Sequence, residues 1–305
     1  YIPQKEVHPG QLVTVCIKAV NRHVIFLGKQ QFQIGVAYLN TPGNEKEMLQ
    51  CDGVTEKVQQ TMAEFSPKHC GIAQIDIEKV FLQDYLGLIG TQKNFRGSCQ
   101  LAVLPEPVLS TRIRTGMEKQ QEYRYSAVAD DDSDILDLRA FRPGDNLNHI
   151  HWNLSLRTDD LIVRQYGEQI DVKKVILVDL SILNTAQYRS RMDAVYTAVV
   201  SIANLYVENE VNTLILAWNG QKQSAEYLEV HDRTELNRAM IRLMQIPCSS
   251  RAGEHAAAVY LKDIEAQGQR ALFVTAGSYE NNKVRIVNVE KIQLQELIDE
   301  LWEKI

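Results

Sequence analysis

With 305 residues, 45% of them hydrophobic and 24% charged, the chain is long enough for two domains and has the balance of a folded globular protein. Its net charge of −6 comes without a long run of Lys and Arg, which argues against nucleic acid as a partner. Five scattered cysteines, Cys16, Cys51, Cys70, Cys99 and Cys248, with no CxxC pair, argue against a disulfide framework or a structural zinc site and fit a reducing compartment.

No stretch approaches about 18 uninterrupted apolar residues, and Tyr1 to Pro9 lack the basic-then-apolar order of a secretory signal, so the chain as given is expected to be soluble. It opens on Tyr1 rather than methionine, so an upstream piece, which could be an anchor, is expected to have been removed.

From Val7 to about Pro107 the apolar pattern is short and alternating, as in Leu12 to Ile17, Phe32 to Val36 and Gly71 to Ile77, with Pro-Gly and Asp-Gly turn signals between the runs. Residues 1–108 therefore predict an antiparallel β-sandwich of about seven short strands. Residues 109–170 form a polar, charge-rich joining segment. Its acidic cluster, Asp130, Asp131, Asp132, Asp134 and Asp137, lacks the glycine and closing glutamate of an EF-hand loop and reads as a solvated loop.

From Asp171 the period changes. Val172 to Asp179 is a charged start followed by a continuous apolar strand of the kind buried on both faces of a parallel sheet. A helix near Ser190 to Asn209 follows, then a strand over Thr213 to Trp218 and helices over Arg233 to Ile246 and Glu254 to Gln267. Strands over Arg270 to Thr275 and Val284 to Val289 precede a closing helix over Lys291 to Lys304. Residues 171–305 predict a doubly wound, Rossmann-like α/β domain of five or six strands.

The joining segment holds the densest chemistry. Arg142-Pro143-Gly144-Asp145 is a turn in which proline fixes φ, glycine permits positive φ and aspartate can cap following amides. His149 and His151 share a face of an extended stretch and, with Asp145, could hold a metal or act as an acid-base pair. The alternative is structural. Arg142, Arg157 and Arg164 would pair with Asp145, Asp137 and Glu168, while His151 and Trp152 pack a domain junction.

In order, Arg139 to Asp145, Ile150-His151-Trp152-Asn153-Leu154-Ser155-Leu156-Arg157, Leu161 to Arg164 and Glu168 resemble the signature of the bacterial domain-of-unknown-function 58 family. Asp84-Tyr85-Leu86-Gly87-Leu88 resembles a further family element, placed at the end of the sandwich. The chain departs at Phe141, where the family carries an aromatic hydroxyl, and at Leu156, where it carries a small residue. The resemblance makes Arg142, Pro143, Gly144, Asp145, His151, Trp152, Ser155, Arg157, Arg164 and Glu168 a signature and interaction set. It implies a parent anchored by two membrane helices on the cytoplasmic side of the bacterial membrane, and a protein partner such as a MoxR-type AAA+ ATPase. No enzymatic activity and no cofactor are attached to it.

The strand end Val178-Asp179-Leu180-Ser181-Ile182-Leu183 resembles the metal loop of von Willebrand factor A domains, with Asp179 and Ser181 in two ligand positions. Leu183 stands where a hydroxyl belongs, and Ala276 where a carboxylate does; Ser249 and Ser250 are the nearest match to a third element. Such losses should leave Mg²⁺ weakly held, because that ion demands near-ideal octahedral oxygen ligation. Asp179 also has a structural reading, as a cap for the following helix. The leading expectation is a non-enzymatic interaction and assembly protein with no metal. A hydrolase using Asp145, His149 and His151 and a divalent-cation-dependent adhesion module are the alternatives.

Overall fold

The structure, a computed structural model, describes the chain except for residues 21–26, 40–45, 55–57, 111–134, 143–149, 159, 167–172, 182–186, 250, 264–270, 278, 280–283 and 305. Seven strands come first: β1 (Glu6–Val7), β2 (Val13–Val20), β3 (Leu27–Tyr38), β4 (Glu47–Val54), β5 (Val58–Phe65), β6 (Gly71–Asp84) and β7 (Gly90–Val103). They form a five-stranded sheet in the order β1-β7-β6-β3-β4 and a two-stranded sheet, β2-β5. Residues two apart fill the core between the sheets: Val13, Val15 and Ile17, then Phe32, Ile34 and Val36, then Leu101 and Val103. The pairing is antiparallel except for β1, which runs parallel to β7. The strands β6 and β7 are fourteen residues each, longer than the pattern predicts. The Asp84-to-Leu88 element is the turn of this hairpin.

The C-terminal strands β10 (Lys174–Val178), β11 (Thr213–Asn219), β12 (Ser224–Val230), β13 (Ala271–Thr275) and β14 (Arg285–Asn288) form one sheet in the order β12-β11-β10-β13-β14. All pairs are parallel except β11 with β12. The helices are α2 (Tyr188–Glu208), α3 (Arg233–Gln245), α4 (Ala252–Asp263) and α5 (Leu294–Glu303). Alternation along the strands feeds two faces. Ile176, Val178, Ile215 and Val274 join the core of α2, α3 and α5, whereas Val175, Leu177, Leu216 and Phe273 pack with Ala256 and Tyr260 of α4. The strand β12 has no counterpart in the sequence prediction. Its outer residues, Tyr227 and Glu229, face water at a sheet edge, and with Glu226 on the inner face they mask the apolar signal of Leu228 and Val230.

Tyr1–Arg112 and Lys173–Ile305 form one compact unit, and Ile113–Val172 a second. Within the first, Ile72, Ala102 and Leu104 of the β-layers enter the same core as α2, α3 and α5. The chain after β7 is fastened there: Val108 N–H donates to Ser201 Oγ at 2.8 Å, Ser110 Oγ to Asp299 at 2.7 Å and Gln295 Nε2 to the Leu109 carbonyl at 2.9 Å.

In the second unit, β8 (Ile135–Ala140) pairs antiparallel with β9 (Ile162–Tyr166), and α1 (Trp152–Thr158) lies between them in sequence. The loop predicted here from charge is thus corrected over β8, which includes Asp137. Ladder pairing satisfies its backbone whatever its charge. Asp130, Asp131, Asp132 and Asp134 lie outside the described residues.

Candidate functional site

At the carboxyl end of β10, Asp179 accepts two hydrogen bonds, from Ser181 N–H at 3.0 Å and from Thr275 Oγ1 at 2.6 Å. Thr275 is fully buried, and its hydroxyl in turn accepts from Gly277 N–H at 2.9 Å. Ser181 Oγ accepts from Gly253 N–H at 3.1 Å, which brings the positive end of α4 to the carboxylate. Gly253 is needed there, because a Cβ would stand 2.4 Å from Asp179 Oδ1. Ser249, on the segment before α4, forms a β-bridge with Ser181, so the weakly aligned serine element does arrive at this rim.

These donors do not fit Mg²⁺. Each Asp179 oxygen is in an internal hydrogen bond, the Thr275 hydroxyl already donates once and accepts once, and Ala276 supplies a buried methyl. The Ser249 hydroxyl is buried without a hydrogen bond among the described residues, but one hydroxyl is a poor start toward six oxygen ligands. Leu183 and Ser250 lie outside the described residues. The arrangement is a clamp that ties β10, β13 and the start of α4 together.

Of the signature set, Ser155, His151, Trp152, Arg157 and Arg142 can be placed. Ser155 is buried, and its Oγ accepts from Ile162 N–H at 2.9 Å, fastening α1 to β9. His151 starts α1: its carbonyl accepts from Ser155 N–H at 3.0 Å, and its Nδ1 accepts from Leu154 N–H at 3.3 Å. That contact gives the ring a capping role and engages one of its two nitrogens. Trp152 is exposed, not packed away as the structural reading expected, and Arg142 and Arg157 are exposed too. A seven-residue helix has too few inward positions to bury both Trp152 and Arg157, and Arg142 lies outside it, after β8. Pro143, Gly144, Asp145, His149 and Glu168 lie outside the described residues, as does the side chain of Arg164. The proposed Asp145, His149 and His151 constellation therefore lies, but for His151, outside the described residues.

One cluster has no marker in the sequence reading. Asp193 of α2 holds His69 Nδ1 at 2.7 Å and Cys70 N–H at 2.8 Å, joining the helix to the start of β6. The adjoining cavity, lined by Tyr38, Tyr188, Met192 and Tyr196 among others, is about 30 Å³, room for a water or two. Burial, helped by Asp193, pushes the Cys70 thiol up to about 12, and burial pushes Tyr38 to about 12. A thiol so held stays protonated near neutrality and is no nucleophile. The available signal was that Arg189, Arg191 and Asp193 are the only charges in α2 before Glu208. A larger cavity of about 410 Å³ lies among His8, Gln11, Pro105, Asn204, Arg233 and Met240. Three of its polar groups are engaged nearby: His8 Nδ1 with the Leu104 carbonyl at 2.9 Å, Asn204 with Glu208 at 2.9 Å and Arg233 with Glu208 at 3.5 Å.

Among solved structures, the chain is similar to a CARDB domain from Pyrococcus furiosus determined with di-metal ions. The two share 10% identity, with a TM-score of 0.22, over 33% of this chain and 81% of that one. It is also similar to a Paenibacillus cycloisomaltooligosaccharide glucanotransferase complexed with cycloisomaltoheptaose, at 10% identity and a TM-score of 0.21, over 92% of this chain and 38% of that one. Likeness at this level carries no argument for fold or activity. No curated protein matches the chain. The family described as "Protein of unknown function DUF58" matches residues 137–280, from β8 through β13.

Proposed function

We propose that the protein is a non-enzymatic interaction and assembly protein, with an immunoglobulin-like sandwich fused to a von Willebrand A-like domain whose metal loop has become an internal clamp. The observation that carries this is the state of Asp179, whose two oxygens are taken by Ser181 and Thr275. Each oxygen of this carboxylate is already committed within the fold, and Ala276 brings no second carboxylate to help hold a cation. Further support comes from His151, whose Nδ1 caps α1, and from Cys70, whose thiol is held protonated. The partner would be a protein. A MoxR-type AAA+ ATPase is the candidate that the family resemblance implies, with the parent protein held at the cytoplasmic side of a bacterial membrane.

Thermal unfolding in EDTA, then in millimolar Mg²⁺, Ca²⁺, Mn²⁺ or Zn²⁺, tests the clamp. A bound ion at one hundred times its dissociation constant adds about 2.7 kcal/mol, so a working site gives an obvious shift. The expected result is none. A shift abolished by Asp179→Ala would restore the adhesion reading, and one traced to His149 or His151 would restore the hydrolase.

A further inference from the structure

The turn between β6 and β7 carries the most exposed apolar cluster among the described residues. Tyr85, Leu86, Leu88 and Ile89 are 81%, 72%, 79% and 73% exposed, four large side chains within five residues. Other exposed apolar residues, such as Met48 or Met62, stand singly along strands, which is ordinary for a protein surface. We propose that this turn is a lipid-contacting tip that dips into the interface of an anionic bilayer.

Three features favour lipid. First, the turn looks after its own backbone: Gly87 N–H donates to the Asp84 carbonyl at 3.0 Å, Asp84 N–H to the Ile89 carbonyl at 2.9 Å, and Ile89 N–H to Asp84 Oδ1 at 2.8 Å. Immersion therefore strands fewer polar groups, the main cost of placing a loop in hydrocarbon. Second, the charges are ordered for it. The only charged residue from Tyr85 through Phe95 is Lys93, in a chain of net charge −6, and Lys79 sits across the hairpin beside it, opposite Asn94. The nearest carboxylate, Asp84, is folded back onto Ile89 N–H. Third, the spacing fits. Lys93 lies three residues past the start of β7, roughly 10 Å behind the turn at about 3.4 Å per strand residue. Interfacial elements sink by about 5–10 Å, so a tip at that depth sets the lysine ammonium groups among headgroup phosphates while their stems span the apolar boundary.

The tip is also held in position. A Cβ on Gly28 would stand 2.3 Å from the Asp84 carbonyl oxygen, so β3 abuts the end of β6 and braces the hairpin where it leaves the sheet. This inference goes beyond the partner reading and is independent of it, since its test uses lipid alone.

The experiment is flotation of the full chain with vesicles of phosphatidylcholine mixed with phosphatidylglycerol, and with vesicles of phosphatidylcholine alone. The wild-type chain should float with the mixed vesicles, and less so at high salt. The double variant Leu86→Glu, Leu88→Glu should lose roughly tenfold or more of that binding, since carboxylates are strongly disfavoured in apolar lipid. It should unfold at the wild-type temperature, because both positions are exposed. Lys79→Gln with Lys93→Gln should lose several-fold and abolish the preference for phosphatidylglycerol. In a Tyr85→Trp chain, fluorescence above that of wild type should be quenched by lipids brominated in the acyl chain. Wild-type chain that stays with the unbound fraction would overturn the proposal, and so would flotation that the Leu86→Glu, Leu88→Glu variant retains. If that variant instead lost binding to a purified protein partner, the tip would be a protein-docking knob.

Discussion

Asp179 and Asp193 solve the same problem at two places and differ in what they join. Each accepts one backbone amide and one side-chain donor. Asp179 works within the α/β layer, against a fully buried Thr275, and ties strand ends that a single sheet already aligns. Asp193 reaches across to His69 and Cys70, more than a hundred residues earlier in the chain, and its side chain is 25% exposed. The carboxylate at the strand end thus works against a fully buried hydroxyl, while the one that unites two distant sequence stretches belongs to no motif.

The largest effect should come from breaking the member whose partner, Thr275, is fully buried. Asp179→Ala leaves the Thr275 hydroxyl and the Ser181 amide without their acceptor and should cost about 3 kcal/mol in urea unfolding. Gly253→Ala attacks the same clamp from the other side, by overpacking against Oδ1, at about 1–3 kcal/mol. The two must not add: with Asp179 already alanine, the new methyl has room, and the second cost should shrink. Equal cost in both backgrounds would sink the clamp account.

Next comes Asp193→Ala, at about 1–2 kcal/mol, because its partners can turn partly to water. If it cost more than Asp179→Ala, the ranking by burial would be wrong. A smaller effect should appear only in alkali. Because the folded Cys70 thiol is raised from 9.0 to about 12, its contribution is whole below the unfolded value and drains away as pH climbs through that interval. Cys70→Ala should therefore flatten the fall of melting temperature between about pH 9 and pH 12, and Asp193→Ala should flatten it less. An unchanged slope would mean that the thiol is not held as described. The smallest effect is the shift expected from divalent ions, which is none.

Much of the α/β layer was legible from the chain because its strands are apolar on both faces and its helices carry one clear period. The edge strand β12 was not, since half of its residues meet water, and β8 was hidden behind its charges. Asp179 and Ser181 could be read because local spacing marks them. His69 and Asp193 could not, because only the packed fold brings them within 2.7 Å. The tip residues were visible as an apolar run, but hydrophobicity alone does not distinguish a side chain that fills a core from one left in solvent.

The shared core has a consequence for synthesis. Ile72, Ala102 and Leu104 have their cover in α2, α3 and α5. At about 5–20 residues per second, Met240 of α3 follows Leu104 off the ribosome by an interval on the order of ten seconds. For that time the nascent β-layers carry a bare apolar flank and are a natural client for a holding chaperone. Ribosome-stalled chains ending near Arg112 should be cleaved by a brief protease pulse that the released full-length protein survives; resistance at that length would show that the β-layers fold without their cover.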